Sequence, residues 1–241
     1  MSDIYKFSKE THTHTLNGKN LTGCTTVLNV IAKPFLIPWA ANMTAGFLKG
    51  KLDDIKKLDQ NGWETLLDEA RKAHTKKKEK AGDYGTKTHK TISELVASVI
   101  LVDGYISKET TSEEKSIQNF IDWAVKNKVK FLASEINVWS KKYFLGGICD
   151  IVCMIGDKRW IVDIKTSKSG IYPENFWQCA GYDLMLQEQG DPPADGYLIL
   201  NLKENGEFGE ERSVSNSDNI KAFKACLDIY RLKAKINNKL K

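Results

Sequence analysis

Nowhere do these 241 residues hold the ~18 consecutive apolar side chains that a membrane-spanning helix needs; the best run, 95–102, is far too short. The first ten residues include Asp3, Lys6, Lys9 and Glu10 and have no apolar core, so no secretory leader is expected. Five scattered cysteines do not make a disulfide framework and fit a reducing, cytoplasmic compartment. Internal repeats and low-complexity tracts are absent too. What remains is ordinary for a soluble globular chain: 41% hydrophobic, 28% charged, net charge +5. The excess charge is local. Residues 217–241 hold six Lys and one Arg against two Asp, and the rest is balanced. Late cations suit the dipole of a carboxy-terminal helix, and they equally suit a phosphate backbone.

Read in order, residues 1–20 form a short hairpin turning at Asn17-Gly18, with His12 and His14 on one strand face as exposed polar residues. Thr25 or Thr26 caps a helix over 27–31; a helix start of this kind also suits a nucleic-acid phosphate. Pro34 and Pro38 precede a helix over 39–49. In the next helix Trp63, Leu66, Leu67 and Ala70 make a core-facing stripe, and Lys76, Lys77 and Lys78 lie on its basic continuation. That continuation is a solvated face first and a nucleic-acid contact second. Residues 81–85 read as a loop, and Thr86 or Thr88 caps a helix running to about 102. His89 lies in line with Ile92, Val96, Val99 and Ile100, the usual place of a core histidine.

From residue 113 the periodicities give α (113–128), β (131–139), β (143–155), β (158–166), α (173–189) and β (195–202), followed by a short strand and a last helix from Ser217. Its centre is a hairpin. Gly156-Asp157 is a two-residue turn of the II′ kind, so Ile155 faces Lys158 and, counting back, Asp150 faces Asp163 on the same side. Two carboxylates about 5 Å apart repel by roughly 3 kcal/mol at an effective dielectric near 20. A divalent cation between them reverses that sign. Lys165 follows on the same face, and Glu135 is expected opposite Ile148, beyond a turn at Lys141-Lys142. Gln178 and Tyr182 stand one turn apart on the following helix, where an amphipathic helix would by itself explain one polar and one core residue.

The ordered set Glu135, Gly147-x-x-Asp150, Asp163-Ile164-Lys165 and Gln178-x-x-x-Tyr182, with His89 upstream, resembles the PD-(D/E)XK nuclease superfamily. Within it the chain is similar to the branch holding the RecB nuclease domain, Cas4 and the phage and mitochondrial exonucleases. The resemblance implies an α/β fold with a restriction-endonuclease-like αβββαβ core at 113–202. Around it would lie an amino-terminal hairpin and helical arch at 1–105 and a carboxy-terminal strand and basic helix at 207–241, all in one compact domain. It implies one or two Mg²⁺ or Mn²⁺ ions held by His89, Asp150, Asp163 and the Ile164 carbonyl, with Glu135 as a further candidate ligand. Lys165 would orient or deprotonate the attacking water or stabilise the transition state, and Gln178 and Tyr182 would position the nucleophile or the phosphate. Thr25, Thr26, Lys76, Lys77, Lys78 and Tyr182 are the implied nucleic-acid contacts.

The expected activity is that of a metal-dependent deoxyribonuclease, an exonuclease on DNA ends or single strands in recombination, repair or replication. The expected setting is a bacterial or phage-infected cytoplasm, with a recombinase or single-strand annealing protein as partner and no membrane. A structure-specific endonuclease, or a non-catalytic nucleic-acid-binding module, would use the same core. Two departures from the family pattern stand out. Cys226 alone follows Tyr182, so the iron–sulfur cluster of some relatives, with three late cysteines, cannot be built. Cys149 takes the place of the proline before Asp150, and Cys149 and Cys153 are expected to face away from the metal as packing residues.

Overall fold

The computed structural model describes residues 3–55 and 57–239. They divide into two compact units: one runs to Ile31 and resumes at Lys87, the other is Ala32–Thr86. The division thus falls at 31 and 86 rather than near 105, and the amino-terminal strands belong with the sheet-containing unit.

That unit is built on a six-stranded mixed sheet. Its strands are β4 (Thr22–Gly23), β5 (Lys130–Ser140), β6 (Leu145–Ile155), β7 (Lys158–Lys165), β8 (Gly196–Leu202) and β9 (Phe208–Ser213). A separate antiparallel sheet joins β1 (Tyr5–Ser8), β2 (Thr13–Leu16) and β3 (Lys19–Asn20), so the hairpin at Asn17-Gly18 carries a third strand. β7 and β8 are parallel and are linked through α6 (Pro173–Glu188). The other long pairs are antiparallel. One face of the sheet is covered by α6, α1 (Cys24–Leu28) and α7 (Asn216–Lys239), through Phe176, Cys179, Tyr182, Met185 and Phe223. The other is covered by α5 (Lys115–Lys126) and by Ile92 and Val96 of α4 (Gln60–Ile100). Ile117, Phe120, Ile121 and Ala124 of α5 are all buried, the stripe their spacing implies.

Close packing fixes the helices over the sheet. A Cβ on Gly181 would meet Phe223 Cζ at 2.7 Å and Cys24 Sγ at 2.8 Å, so α1 and α7 approach α6 only because no side chain stands there. Gly181→Ala is expected to cost about 1–3 kcal/mol in chemical denaturation, the usual cost of overpacking; an unchanged midpoint would contradict this packing.

The second unit holds α2 (Leu36–Lys49), α3 (Leu52–Ile55) and the first part of α4. Pro38 lies in the first turn of α2 rather than before it, where the missing N–H costs no hydrogen bond. Of the stripe expected on α4, Leu66 and Ala70 are buried while Trp63 and Leu67 are exposed. The loop expected at 81–85 is absent, since α4 is continuous from Gln60 to Ile100. Gly82 and Gly85 weaken a helix by only about 1 kcal/mol each, and no proline interrupts the chain there. Among the described residues no helix is long and apolar enough to cross a membrane.

Candidate active site

The II′ hairpin is formed as the turn chemistry dictates. Gly156 has φ +63°, Asp157 has no positive φ, and Ile155 pairs with Lys158. The ladder ends at Ile151–Val162, one pair short of Asp150 and Asp163. On this edge β6 pairs with β4 at Leu145 and Gly146, and with β7 only from Ile151 onward. Residues 147–150 therefore line a gap between diverging strands, and the site is built there. Divergence relieves the repulsion that strict pairing would impose. Asp150 Oδ2 instead accepts the Ile164 N–H at 2.7 Å. A strand residue turns its N–H and C=O to the same edge, so the Ile164 carbonyl faces this gap as well.

The turn between β5 and β6 is longer than a two-residue loop. It comprises Lys141–Phe144, Ser140 pairs with Leu145, and Asn137, not Glu135, is the partner of Ile148. Glu188 explains the difference: its carboxylate accepts the Lys141 and Lys142 N–H groups at 2.9 and 3.0 Å, holding a wider turn. The shift brings Glu135 level with Asp150. Ser134 pairs with Ile151 and Ile136 with Cys149, leaving Glu135 and Asp150 facing each other outside the ladder. Glu135 takes φ +50°, a left-handed conformation that costs a non-glycine residue about 1–2 kcal/mol. The strand changes face at this point. Cys149 and Val152 pack with α6, whereas Ile151 and Cys153 pack with α5. Cys149 and Cys153 thus lie on opposite faces of the sheet, correcting the simple alternation; both are buried, and Cys149 Sγ contacts the Ile151 carbonyl at 3.8 Å.

Two groups of side chains meet at the gap. In the first, His89 Nδ1 lies 3.5 Å from Asp150 Oδ1 and 3.9 Å from Glu135 Oε1. One ligand atom from each of the three falls within 4.8 Å of the others, a spacing one cation can bridge. Burial pushes the His89 imidazole down, but Asp150 foremost, with Asp163 and Glu135, outweighs it and brings it to about 9. Burial, and then Asp150, raise the Glu135 carboxyl. Hard carboxylate oxygens and an imidazole form a donor set suited to Mg²⁺ or Mn²⁺, with imidazole favouring the latter. His89 lies one helical turn from Ile92 and two from Val96, which are fully buried, so the core holds its helix in place.

The second group is a chain of polar contacts. Lys165 Nζ is 2.7 Å from Asp163 Oδ2 and donates to Gln178 Oε1 at 3.1 Å, and Gln178 Nε2 donates to the Tyr182 hydroxyl at 2.7 Å. Asp163 is thus turned to Lys165 and is not one of the three clustered ligands. Burial, partly offset by Lys165 and reinforced by Asp150, pushes its carboxyl up to about 6. Burial alone would lower the Lys165 ammonium, but Asp163 and Asp150 raise it, so it remains a cation.

Tyr182 also borders a cavity of about 390 Å³, with Thr25, Thr26, His12, His14 and Asn20 in its wall. Gly146 and Gly147 let its wall residues pack directly onto β6: a Cβ on Gly146 would strike His14 at 2.6 Å, and one on Gly147 would strike Tyr182 at 2.8 Å. Thr25 and Thr26 are not caps, since α1 starts at Cys24 behind Gly23 with no side-chain capping bond. His14 is not an exposed polar residue either: it is buried, bonded to the Tyr5 hydroxyl at 2.6 Å and stacked on Phe7. The alternating pattern of β2, with Leu16 also buried, carried that signal. Lys76, Lys77 and Lys78 belong to the helical unit and are exposed there on α4.

The strain at Glu135 gives a direct test. Glu135→Gly, which accepts a positive φ freely, is expected to leave the metal-free protein as stable or up to about 1 kcal/mol more stable, while weakening Mn²⁺ binding. A thermal melt and a metal titration check both halves; a lower melting temperature would show that the left-handed backbone at Glu135 stores no strain.

No protein-family model matches the chain, and no curated protein does. Among solved structures, that of a protein designated SSO0001 aligns with 47% of this chain and 55% of its own, at 13% identity and a TM-score of 0.30. This chain thus spans about half the length of that protein.

Proposed function

We propose that this protein is a metal-dependent deoxyribonuclease with a restriction-endonuclease-like core, acting on DNA ends or single strands as an exonuclease. The observation that carries this reading is the meeting, at one gap in the sheet, of a His–Glu–Asp cluster and a buried Lys–Asp pair. Hydrolysing a phosphodiester needs an activated water, stabilisation of charge on the phosphoryl oxygens, and help for the leaving alkoxide. When bound, Mg²⁺ or Mn²⁺ would lower the pKa of a water and neutralise charge on the phosphate.

The chain's own residues supply the rest. His89, Asp150 and Glu135 would hold the ion, with Asp163 and the Ile164 carbonyl beside them. Lys165, kept charged by its pair with Asp163, suits stabilisation of the transition state or orientation of the water better than proton abstraction. Gln178 fixes Lys165 and the Tyr182 hydroxyl in one line of hydrogen bonds. The Tyr182 proton then points onward as a donor for the strand. The cavity beyond, with the Thr25 and Thr26 hydroxyls and no carboxylate in its wall, suits a phosphate or sugar of the same strand.

The test is digestion of end-labelled linear DNA, single- and double-stranded, beside covalently closed circles, in Mg²⁺ and in Mn²⁺. Release of nucleotides from linear DNA, with closed circles intact and all activity lost in EDTA, is the expected result. Cutting of closed circles would make the protein an endonuclease on the same site. Binding without cleavage in either metal would make it a non-catalytic module.

A further inference from the structure

The last helix carries two apolar faces, and the sheet uses only one. α7 buries Phe223, Cys226 and Leu227 against its neighbours. Roughly 140° around the helix, at 3.6 residues per turn, lies a second stripe. There Ile229, Leu232 and Ile236 are 52%, 57% and 54% exposed. Single exposed aliphatics are commonplace. Three at i, i+3 and i+7, continuing the line of Ala222 and Ala225, have the a/d spacing by which a helix packs against another helix. A shallow groove of about 280 Å³ runs beside the seam, between α1 and α7, with Val30, Tyr230, Lys233 and Ala234 in its wall.

The charges around this seam specify what it takes. Between Ile229 and Lys239 the helix has Arg231, Lys233, Lys235 and Lys239 and no acid. Lys233 and Lys235 occupy the e and g positions that flank the seam, where partner choice is set. Arg231 is tied to the Tyr143 carbonyl at 2.7 Å, so this part of the helix is anchored to the sheet unit. A second copy running parallel would pair Asp228, at g, with Lys233, at e, but would answer none of Arg231, Lys235 and Lys239, whereas acidic flanks on a different helix answer the cations on both sides of the seam. A DNA backbone would suit the cations but would gain nothing from three aliphatic side chains. We infer that this face of α7 docks an amphipathic helix of another protein, one bearing an apolar seam flanked by Glu or Asp. The inference does not depend on the nuclease reading.

The test uses two synthetic helical peptides of about three heptads, identical at a and d (Ile, Leu) but with Glu or with Lys at e and g. Each is titrated into the 241-residue protein by calorimetry at low and at moderate NaCl. The Glu peptide is expected to bind at least about tenfold tighter than the Lys peptide, and to weaken as salt rises. A triple variant, Ile229→Ser, Leu232→Ser and Ile236→Ser, is expected to lose that binding while melting at the same temperature, because no core contact is removed. Equal affinity for both peptides, binding unaffected by the triple variant, or no binding of the Glu peptide would overturn the inference. So would a concentration-dependent dimer in sedimentation that the triple variant abolishes, since a second copy would then be the occupant.

Discussion

Asp150→Asn is expected to remove Mn²⁺ binding measurable by calorimetry and to lower DNA cleavage by about 10³-fold or more, some 4 kcal/mol of barrier. The substitution is chosen because asparagine still offers an oxygen to the Ile164 N–H, which Asp150 Oδ2 now accepts at 2.7 Å. The fold should therefore survive, with a melting temperature in the absence of metal close to that of the parent. What disappears is the charge that faces His89 at 3.5 Å and Glu135 across the broken ladder. Unchanged metal affinity in a folded Asp150→Asn protein would count directly against a cation site.

Lys165→Ala should separate binding from chemistry. Lys165 is outside the His89–Glu135–Asp150 cluster, so metal and DNA binding should persist while cleavage falls by about 10²–10³-fold, the loss typical of one preorganised charge. This variant also strands Asp163, 1% exposed, without its cation, and breaking such a pair costs about 3–5 kcal/mol. A lower melting temperature is therefore part of the prediction. Lys165→Arg is the control: it keeps the charge and should recover most of the stability, with only part of the rate, because its planar fork presents its donors differently. If Lys165→Ala abolishes metal binding in a folded protein, Lys165 organises the ligands, and the separation of a metal-holding group from a charge-stabilising one is wrong.

The elements of the core were readable in the residues because their signals are local and strong. The apolar run of Trp160, Ile161, Val162 and Ile164, a Gly-Asp turn and the stripe of Ile117, Phe120, Ile121 and Ala124 each specify one outcome. The register of β5 was not readable. It depends on Glu188, nearly fifty residues away, reaching back to the Lys141 and Lys142 N–H groups. The parting of β6 from β7 just before the two aspartates was hidden for a related reason: a turn fixes register only while the ladder continues. Like charges facing each other give it a reason to stop. The loop expected at 81–85 failed because glycines only weaken a helix, and local composition does not reveal what holds α4 together across them. Residues near one another in the motif were thus legible as a set, but which carboxylate faces His89 and which faces Lys165 needed the three-dimensional arrangement.

Anomalous diffraction from crystals grown with Mn²⁺ tests the central claim most directly. A manganese peak is predicted within about 2.0–2.3 Å of an Asp150 oxygen and a His89 nitrogen, at the gap where β6 leaves β7. An ordered site with no anomalous peak, His89 and Asp150 remaining in contact with each other alone at saturating manganese, would contradict it.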